Sequence, residues 1–272
     1  NVITYSAAVS GCEKAQEWEQ VFGLLAEMQA EGLDLNVVTY SAAISGCEKS
    51  RRWQCALALF RELGQTGLLP NLVTYNAMIS ACEKCRRGGE AVQLLCEMNR
   101  SRITPDTVTC NAAISACAAG RRWEQALQLR SLMRHESVAC DVVTWDALLS
   151  ACEKGARWGS ALGLVEQMRL SGLKLNVLAC NAAIGSCAGG RRWRRAAELL
   201  GAMPRCRLSC DAVGCSAAVS ACIGGQPPAL LPAFLEAAAR SGGALRSTGP
   251  GVSARPARGR GRRGHVAPRG TP

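Results

Sequence analysis

The side chains best suited to chemistry in this sequence are sixteen cysteines and two histidines. Together they could hold a zinc ion if two pairs lay at ligand spacing. Cys82 and Cys85 form one such pair, but no second cysteine or histidine pair follows at the spacing required. His135 is followed directly by Glu136, which is not the His-x-Glu spacing of a deaminase zinc site. We therefore expect no metal site, no cofactor and no enzymatic activity in this chain.

Seven of the cysteines recur at intervals of 35 residues. One cysteine per interval is typical of a small buried hydrophobe in a repeated structure, and a disulfide scaffold is improbable in a chain of 272 residues with ample apolar content. We expect free thiols that pack in the core, in a reducing compartment. The series is Cys12, Cys47, Cys82, Cys117, Cys152, Cys187 and Cys222.

The elements that position these residues repeat with the same period. Residues 1–245 divide into seven units of 35 residues, and the last unit loses the second half of the pattern. Fixed self-similarity of this length is the sequence signature of a solenoid, whose end units are often degenerate. The units begin at Asn1, Asn36, Asn71, Asp106, Asp141, Asn176 and Asp211.

The apolar residues within a unit are spaced as in two short helices. Tyr5, Val9 and Cys12 lie on one helical stripe, and Trp18, Val21 and other apolar residues lie on a second. We expect a helix-turn-helix unit in which Thr4 or its neighbour caps the first helix and Gly32 ends the second. Five tryptophans at one position (Trp18, Trp53, Trp123, Trp158 and Trp193) are interpreted as packing anchors rather than stacking platforms for bases, with Gly88 in the third unit.

The positive charge is concentrated at the carboxyl end. The formal net charge is +11, and seven arginines but no acidic residues lie in 246–272. This Arg/Gly/Pro-rich segment has too little apolar content to fold, so we expect a disordered basic tail. Such a segment could bind RNA without sequence preference or act as a linker. No secretory signal or membrane-spanning stretch is recognisable.

Each unit opens with a motif such as "NVVTYSAAIS" or "NLVTYNAMIS" and closes with one such as "ALALFREL" or "AVQLLCEM". The period and both motifs resemble the pentatricopeptide repeat family in its pure 35-residue form. The resemblance implies a right-handed α-solenoid that binds single-stranded RNA along a concave groove. In that family each unit reads one base, and the amino end of the protein lies at the 5′ end of the RNA.

The resemblance assigns base reading to two polar residues per unit: the residue after the aromatic position and the residue just before the next "VVTY". Ser with Asn resembles the adenine pair, and Asn with Asp resembles the uracil pair. The sequence is thus expected to read A-A-U-U-x-U, with the fifth pair unassigned and the seventh unit, Ser216 with Arg246, reading nothing. Asn and Asp at the second position also suit helix caps. The pairs are Ser6–Asn36, Ser41–Asn71, Asn76–Asp106, Asn111–Asp141, Asp146–Asn176 and Asn181–Asp211.

Three further series fit the resemblance, each with a plainer alternative. Aliphatic residues are expected to flank the bases, or else to pack within the helices: Ile3, Val38, Val73, Val108, Val143, Leu178 and Val213. Lysines are expected to contact phosphates, or else to form a solvated charged face: Lys14, Lys49, Lys84 and Lys154. Arginine pairs are expected on the outer edge, where they add long-range attraction: Arg51–Arg52, Arg86–Arg87, Arg121–Arg122 and Arg191–Arg192.

The sequence therefore predicts an all-α solenoid whose partner is single-stranded RNA. By resemblance the protein acts in a plastid or mitochondrion, in RNA processing, stability or translation, with any chemistry supplied by a partner enzyme. Two alternatives remain: a protein-binding scaffold of the same architecture and a decayed copy without activity. A scaffold would present an acidic or apolar concave face instead of a basic groove.

Overall fold

The computed structural model describes residues 1–223, which form thirteen α-helices, a single-turn 3-10 helix and no β-strands. The odd-numbered helices are α1 (Val2–Ala15), α3 (Val37–Lys49), α5 (Leu72–Lys84), α7 (Thr107–Ala119), α9 (Val142–Lys154), α11 (Val177–Gly189) and α13 (Ala212–Ile223). The even-numbered helices are α2 (Trp18–Ala30), α4 (Trp53–Gln65), α6 (Gly88–Arg100), α8 (Trp123–His135), α10 (Trp158–Leu170) and α12 (Trp193–Ala202), which is followed by the 3-10 turn Pro204–Cys206.

Each odd-numbered helix begins after an Asn or Asp that caps it. In α3, for example, Asn36 Oδ1 accepts a hydrogen bond from the backbone N–H of Thr39 at 2.9 Å. The cap satisfies one of the backbone donors left free in the first helical turn. The first helix follows the same rule, because Asn1 Oδ1 accepts from the Thr4 N–H at 3.0 Å. The prediction that Thr4 or its neighbour is the cap was therefore wrong: the capping oxygen lies three residues earlier.

The turns between helices use residues with positive φ. Gly32 has φ +66° just beyond α2, which confirms its predicted role in ending that helix. Between the two helices of a unit the same conformation falls on a non-glycine residue, such as Arg51 at φ 56° and Arg86 at φ 59°. The first arginine of each predicted pair is thus a turn residue.

The odd-numbered helices pack against one another in sequence, from α1 to α13, and form one continuous layer. Each even-numbered helix packs against the odd helix of its own unit and of the next unit. Side chains buried between the layers include Tyr40, Ile44, Leu63, Met78 and Met98. Neither helix of a unit could bury its apolar stripe alone, so stacking supplies the core. The α-solenoid prediction is confirmed.

The periodic cysteines lie in this core. Six of the seven are buried, and Cys12 is half-buried because α1 packs against an odd helix on one side only. Burial raises the pKa of Cys47 and Cys82 to about 12. All sixteen cysteines are free thiols in this structure. The second half of the seventh unit and the tail that is predicted to be disordered lie outside the described residues.

Candidate nucleic-acid interface

A row of exposed aliphatic side chains follows the first turns of the odd-numbered helices. Each is the second residue after its unit's first residue, and their exposed fractions lie between 57% and 79%. Side chains so exposed do not pack in the core, which rules out ordinary helix packing for this series. The members are Ile3, Val38, Val73, Val108, Val143, Leu178 and Val213. Together with the twelve predicted base-reading residues, they are called the helix-start row below.

The predicted base-reading residues lie beside these aliphatic residues at two depths. The six that follow the aromatic position are recessed: Ser41 and Asn181 are buried, and Ser6, Asn76, Asn111 and Asp146 are half-buried. Their six partners are the helix caps and are half-buried or exposed. Asn36, Asn71, Asp106, Asp141 and Asn176 each accept the backbone N–H three residues later, and Asp211 accepts that of Gly214 at 2.9 Å. The capping role is therefore real, and it leaves part of each side chain for a ligand.

A threonine that was not among the predicted site residues joins the two members of each of the first four pairs. It is the third residue of the next odd helix. Thr39 Oγ1 lies 2.7 Å from Ser6 Oγ and 3.1 Å from Asn36 Oδ1. Thr74 Oγ1 lies 2.7 Å from Ser41 Oγ and 3.0 Å from Asn71 Oδ1. The series could have been noticed in the sequence, because threonine recurs in each "VVTY" opening.

In the third and fourth pairs the first member is Asn rather than Ser, and the same threonine contacts its amide oxygen. Thr109 Oγ1 donates to Asn76 Oδ1 or to Asp106 Oδ1, the latter at 2.6 Å. Thr144 Oγ1 lies 2.6 Å from Asn111 Oδ1 and 2.8 Å from Asp141 Oδ1. A hydroxyl has one proton, so only one of the two oxygens receives it at a time.

The fifth and sixth pairs lack this threonine. Ala179 and Gly214 occupy its position, and the two polar residues contact each other directly, as Asn111 and Asp141 of the fourth pair also do at 3.0 Å. Asn176 Nδ2 donates to the Asp146 carboxylate at 2.9 Å, and Asn181 Nδ2 donates to Asp211 Oδ1 at 2.9 Å. Asn181 Oδ1 is buried and has no hydrogen-bond partner among the residues that the structure describes.

The carboxylates of the row differ in how readily they ionise. Partial burial opposes ionisation of Asp106 and Asp141, but hydrogen bonds from Thr109 and Thr144 outweigh it and hold each pKa below its ordinary value. Asp146 receives only the Asn176 amide, so burial dominates and raises its pKa. The third and fourth pairs therefore hold firmly ionised acceptors.

The four predicted phosphate-contacting lysines fall into two classes. Lys49 Nζ lies 3.0 Å from Glu13 Oε1, and Lys84 Nζ lies 2.8 Å from Glu48 Oε1, so each forms an ion pair with the preceding unit. Lys14 and Lys154 are exposed and form no ion pair within residues 1–223. A solvated charged face, the alternative interpretation, fits Lys49 and Lys84 better.

The tryptophans of the even-numbered helices are half-buried and face the next unit. In three of the four pairs the second arginine stacks on the tryptophan of the preceding unit. Arg87 lies 4.1 Å from the Trp53 ring centroid and Arg52 lies 4.8 Å from that of Trp18. The arginine pairs are exposed, and their part in long-range attraction stays a prediction. The stacked arginines keep their charge while their flat guanidinium groups pack on the aromatic rings.

Two general properties of the described region bear on the kind of site it holds. No group of three or more His, Cys, Asp or Glu side chains within residues 1–223 converges as metal ligands do. Over the same residues, no helix has both the length and the apolar content to cross a membrane.

Models of one repeat family match most of the helical part of the chain. The PPR repeat family model matches residues 70–119 and 105–154, and the pentatricopeptide repeat domain model matches 23–84. The PPR repeat model matches 3–33 and 143–173. The chain belongs to the pentatricopeptide repeat family. No curated protein matches the chain.

Solved pentatricopeptide repeat structures share the fold. The crystal structure of the pentatricopeptide repeat protein PPR10 from maize is 25% identical over 93% of this chain and 35% of that one, with a TM-score of 0.62. PPR10 in complex with an 18-nt psaJ RNA element is 22% identical over 93% and 39%, with a TM-score of 0.51. The PPR domain of Arabidopsis thaliana protein-only RNase P 1 in complex with tRNA is 13% identical over 65% and 94%, with a TM-score of 0.58. The present chain thus spans about a third of the maize protein.

Proposed function

We propose that this pentatricopeptide repeat protein binds single-stranded RNA along the helix-start row, about one base per unit. The observation that carries the proposal is the alternation, six times over, of an exposed aliphatic side chain with a polar pair whose first member is recessed. Exposed aliphatic residues can flank a base, while the polar pair meets its Watson–Crick edge. The RNA complexes of related solved structures, named above, support the choice of ligand.

The hydrogen bonds within the Asn–Asp pairs support uracil as their base. In the third pair every hydrogen bond that Asp106 accepts reaches Oδ1, which leaves Oδ2 as an acceptor. Asn76 Oδ1 faces Thr109, so its Nδ2 is oriented to donate. A donor beside an acceptor matches a uracil carbonyl oxygen and the uracil N3–H. In the fourth pair Asn111 Oδ1 likewise faces Thr144, and one Nδ2 proton is donated to Asp141 Oδ1. The second Nδ2 proton and Asp141 Oδ2 remain for the base.

The Ser–Asn pairs offer the complementary arrangement, which supports adenine. Ser41 Oγ donates to the Val37 carbonyl at 2.7 Å, so its lone pairs face Thr74 and the ligand. Asn71 Oδ1 accepts the Thr74 N–H, and the one hydroxyl proton of Thr74 goes either to Asn71 Oδ1 or to Ser41 Oγ. In both cases the Asn71 Nδ2 is left to donate. Adenine presents a matching acceptor at N1 and donor at N6. A base of the wrong pattern would leave a desolvated polar group unpaired. The proposed order therefore remains A-A-U-U-x-U from the 5′ end.

Long-range attraction is proposed to come from the excess of basic residues and from Lys14 and Lys154, which are exposed. Phosphate contacts supply affinity without sequence information and weaken as salt rises. Six bases are few, so we expect a modest affinity for this chain alone. By family membership we propose action in a plastid or mitochondrion, in RNA processing, stability or translation, with an RNA-processing enzyme as partner.

The test compares the parent chain with Asn76→Ser on RNAs of sequence A-A-U-U-x-U that differ only at the third base. The parent should prefer uracil there. Asn76→Ser creates a Ser–Asp pair, which in the family resembles the guanine pair, so the preferred third base should move toward guanine. The affinity for uracil should fall by about 1–3 kcal/mol.

Selection from a randomised RNA pool provides an independent arm of the same test. A recovered motif related to A-A-U-U-x-U supports the assignment of one base to each unit. Identical base rankings for the parent and Asn76→Ser would contradict that assignment. If no RNA is retained while a peptide ligand is bound, the protein-binding scaffold is the better description.

A further inference from the structure

The threonine at the third position of the odd-numbered helices contacts both polar residues of a pair, although it is not itself proposed to touch a base. Its hydroxyl lies within 2.7 Å of Ser6 and Ser41 and 2.6 Å of Asn111. The methyl and backbone of each of these threonines are buried, so the hydroxyl is fixed in place: Thr39, Thr74, Thr109 and Thr144 are each 0% exposed.

Two pairs of the same composition show what the threonine does. The Asn111 amide donates to Asp141 Oδ1 at 3.0 Å, and the Asn181 amide donates to Asp211 Oδ1 at 2.9 Å. The difference is the third position of the next helix. Thr144 fixes the oxygen end of the Asn111 amide, whereas Gly214 leaves that of Asn181 buried and without a partner among residues 1–223.

Glycine at 214 is also what makes room for that amide. A Cβ built on Gly214 would overlap Asn181 Oδ1 and would lie 3.0 Å from the sulfur of Cys210. The amide oxygen of Asn181 therefore lies in the space that the threonine side chain takes in the earlier units. An unpaired, buried acceptor carries a desolvation cost that a donor from a ligand would relieve.

We propose that this threonine is a positioning residue that determines base specificity, and that its absence makes the sixth unit less selective than the fourth. The inference rests on the proposed function. With its oxygen held by Thr144, the Asn111 amide presents only N–H to the RNA, which suits a uracil carbonyl and opposes the N4 amino group of cytosine. The Asn181 amide is held only at its nitrogen, which donates to Asp211. It can therefore turn so that its Oδ1 accepts a hydrogen bond from the cytosine amino group.

A purely structural role for the threonine would give a different result. The hydroxyl also supports the helix start, because Thr144 Oγ1 accepts the Asp141 N–H at 3.2 Å in a capping box. Loss of that contact would lower the stability of the solenoid and would weaken binding to all RNAs alike. It would not change the ratio of affinities for two RNAs that differ at one base.

The experiment measures the ratio of affinities for RNAs with uracil or cytosine at the fourth base of A-A-U-U-x-U. Thr144→Val keeps the shape and removes the hydroxyl, and should lower this ratio about fivefold, the factor that corresponds to a hydrogen bond of roughly 1 kcal/mol. Thr144→Ser keeps the hydroxyl and should keep the ratio. Thr66→Val is the matched control, because its hydroxyl donates to Leu63 O at 2.8 Å, outside the helix-start row.

The parent provides a second comparison. Its ratio for uracil over cytosine at the sixth base should be about fivefold smaller than at the fourth base, by the same loss of one hydrogen bond. If Thr144→Val does not fold, Thr109→Val tests the same contact at the third base. A parent that discriminates at the fourth base and a Thr144→Val variant that discriminates equally well would overturn the inference but leave the proposed function standing. A parent with no preference at that base would overturn both.

Discussion

The guanidinium group of Arg87 lies 4.1 Å from the ring centroid of Trp53, in the preceding unit. The same relationship recurs along the solenoid, from Arg52 over Trp18 at 4.8 Å to Arg157 over Trp123 at 4.1 Å. Because each stack joins two successive units, it contributes to the interface energy on which a repeat protein depends. The even-numbered helices are thus coupled through side chains that the sequence places in separate motifs.

The stack predicts a difference between two equivalent arginines. Arg87→Ala should lower the free energy of unfolding by about 0.5–1 kcal/mol, the range for partly exposed cation–π pairs. Arg122→Ala is the control, because the third unit has Gly88 where the tryptophan would be. Both arginines also contact the residue three positions later, Arg87 with Glu90 at 3.7 Å and Arg122 with Gln125 at 3.4 Å. Thermal and urea unfolding of both variants measures the effect. Equal losses would show that the stack does not contribute.

Gly88 itself gives a second prediction. A Cβ at this position would lie 2.7 Å from Cys117 Cα and 2.9 Å from the Ala116 carbonyl oxygen, both backbone atoms of α7. Gly88→Ala should therefore destabilise the protein by about 1–3 kcal/mol, because α7 must move away.

The control for this substitution is Gly23→Ala. Gly23 lies within α2 and has no neighbour within 4 Å of a built Cβ. Alanine there should stabilise by roughly 0.5–1 kcal/mol, since glycine is a poor helix former. Urea unfolding of the two variants separates the effects, and a Gly88→Ala variant at least as stable as the parent would contradict the close approach.

The repeat period and Gly88 show which features the sequence predicts and which it does not. The 35-residue period and the helical spacing of Tyr5, Val9 and Cys12 are local properties of the chain, so they predicted the helices and their stacking. The replacement of tryptophan by Gly88 was visible in the sequence. That α6 approaches the backbone of α7 there was not, because it depends on the packing of two units.

The candidate site was predictable in part for the same reason. The polar series follows the repeat, so residues such as Asn76 and Asp106 could be paired by position. The link through Thr109 is a contact between units, and no pattern within one unit specifies which oxygen a hydroxyl faces. Likewise the ion pair of Lys49 with Glu13 joins residues of two units. The sequence could suggest a charged face but not which lysines are neutralised.

The cysteines provide a third prediction, on reactivity. Burial raises the pKa of Cys47 and Cys82 to about 12 and that of Cys152 to about 11, so almost no thiolate forms near pH 8. Native labelling with a thiol reagent should be fast at the exposed Cys96 and Cys206 and slow at those buried sites. Mass spectrometry locates the labels. Labelling in denaturant is the control, and rapid native labelling at Cys47 would contradict its burial.

Acid should lower the stability of the folded protein, because it protonates the firmly ionised carboxylates of the helix-start row. The folded pKa of Asp106 lies below its ordinary value of about 3.9, so its ionised form stabilises the protein above that pH. This contribution is lost as the pH falls through the lowered pKa. Asp106→Asn keeps a capping amide but cannot titrate. The parent's advantage in thermal midpoint over Asp106→Asn should be constant near neutral pH and shrink below about pH 4. An advantage that persists or grows in acid would exclude the hydrogen bonds as its source.

The lysines give the final prediction, which concerns the salt dependence of RNA binding. Lys154 is exposed and forms no ion pair within residues 1–223, whereas the charge of Lys49 is balanced by Glu13 at 3.0 Å. A lysine that contacts a phosphate of a single strand contributes about 0.7 to the slope of log affinity against log salt. Lys154→Ala should therefore reduce the magnitude of that slope by about 0.7 and weaken all RNA sequences alike.

Lys49→Ala is the control and should change the slope much less. A lysine whose charge Glu13 already balances releases few counterions from an RNA phosphate. Binding titrations between low and moderate salt measure both slopes. Equal slopes for Lys154→Ala and the parent would mean that Lys154 lies away from the RNA path, and a large change in Lys49→Ala would mean that RNA displaces Glu13 on binding.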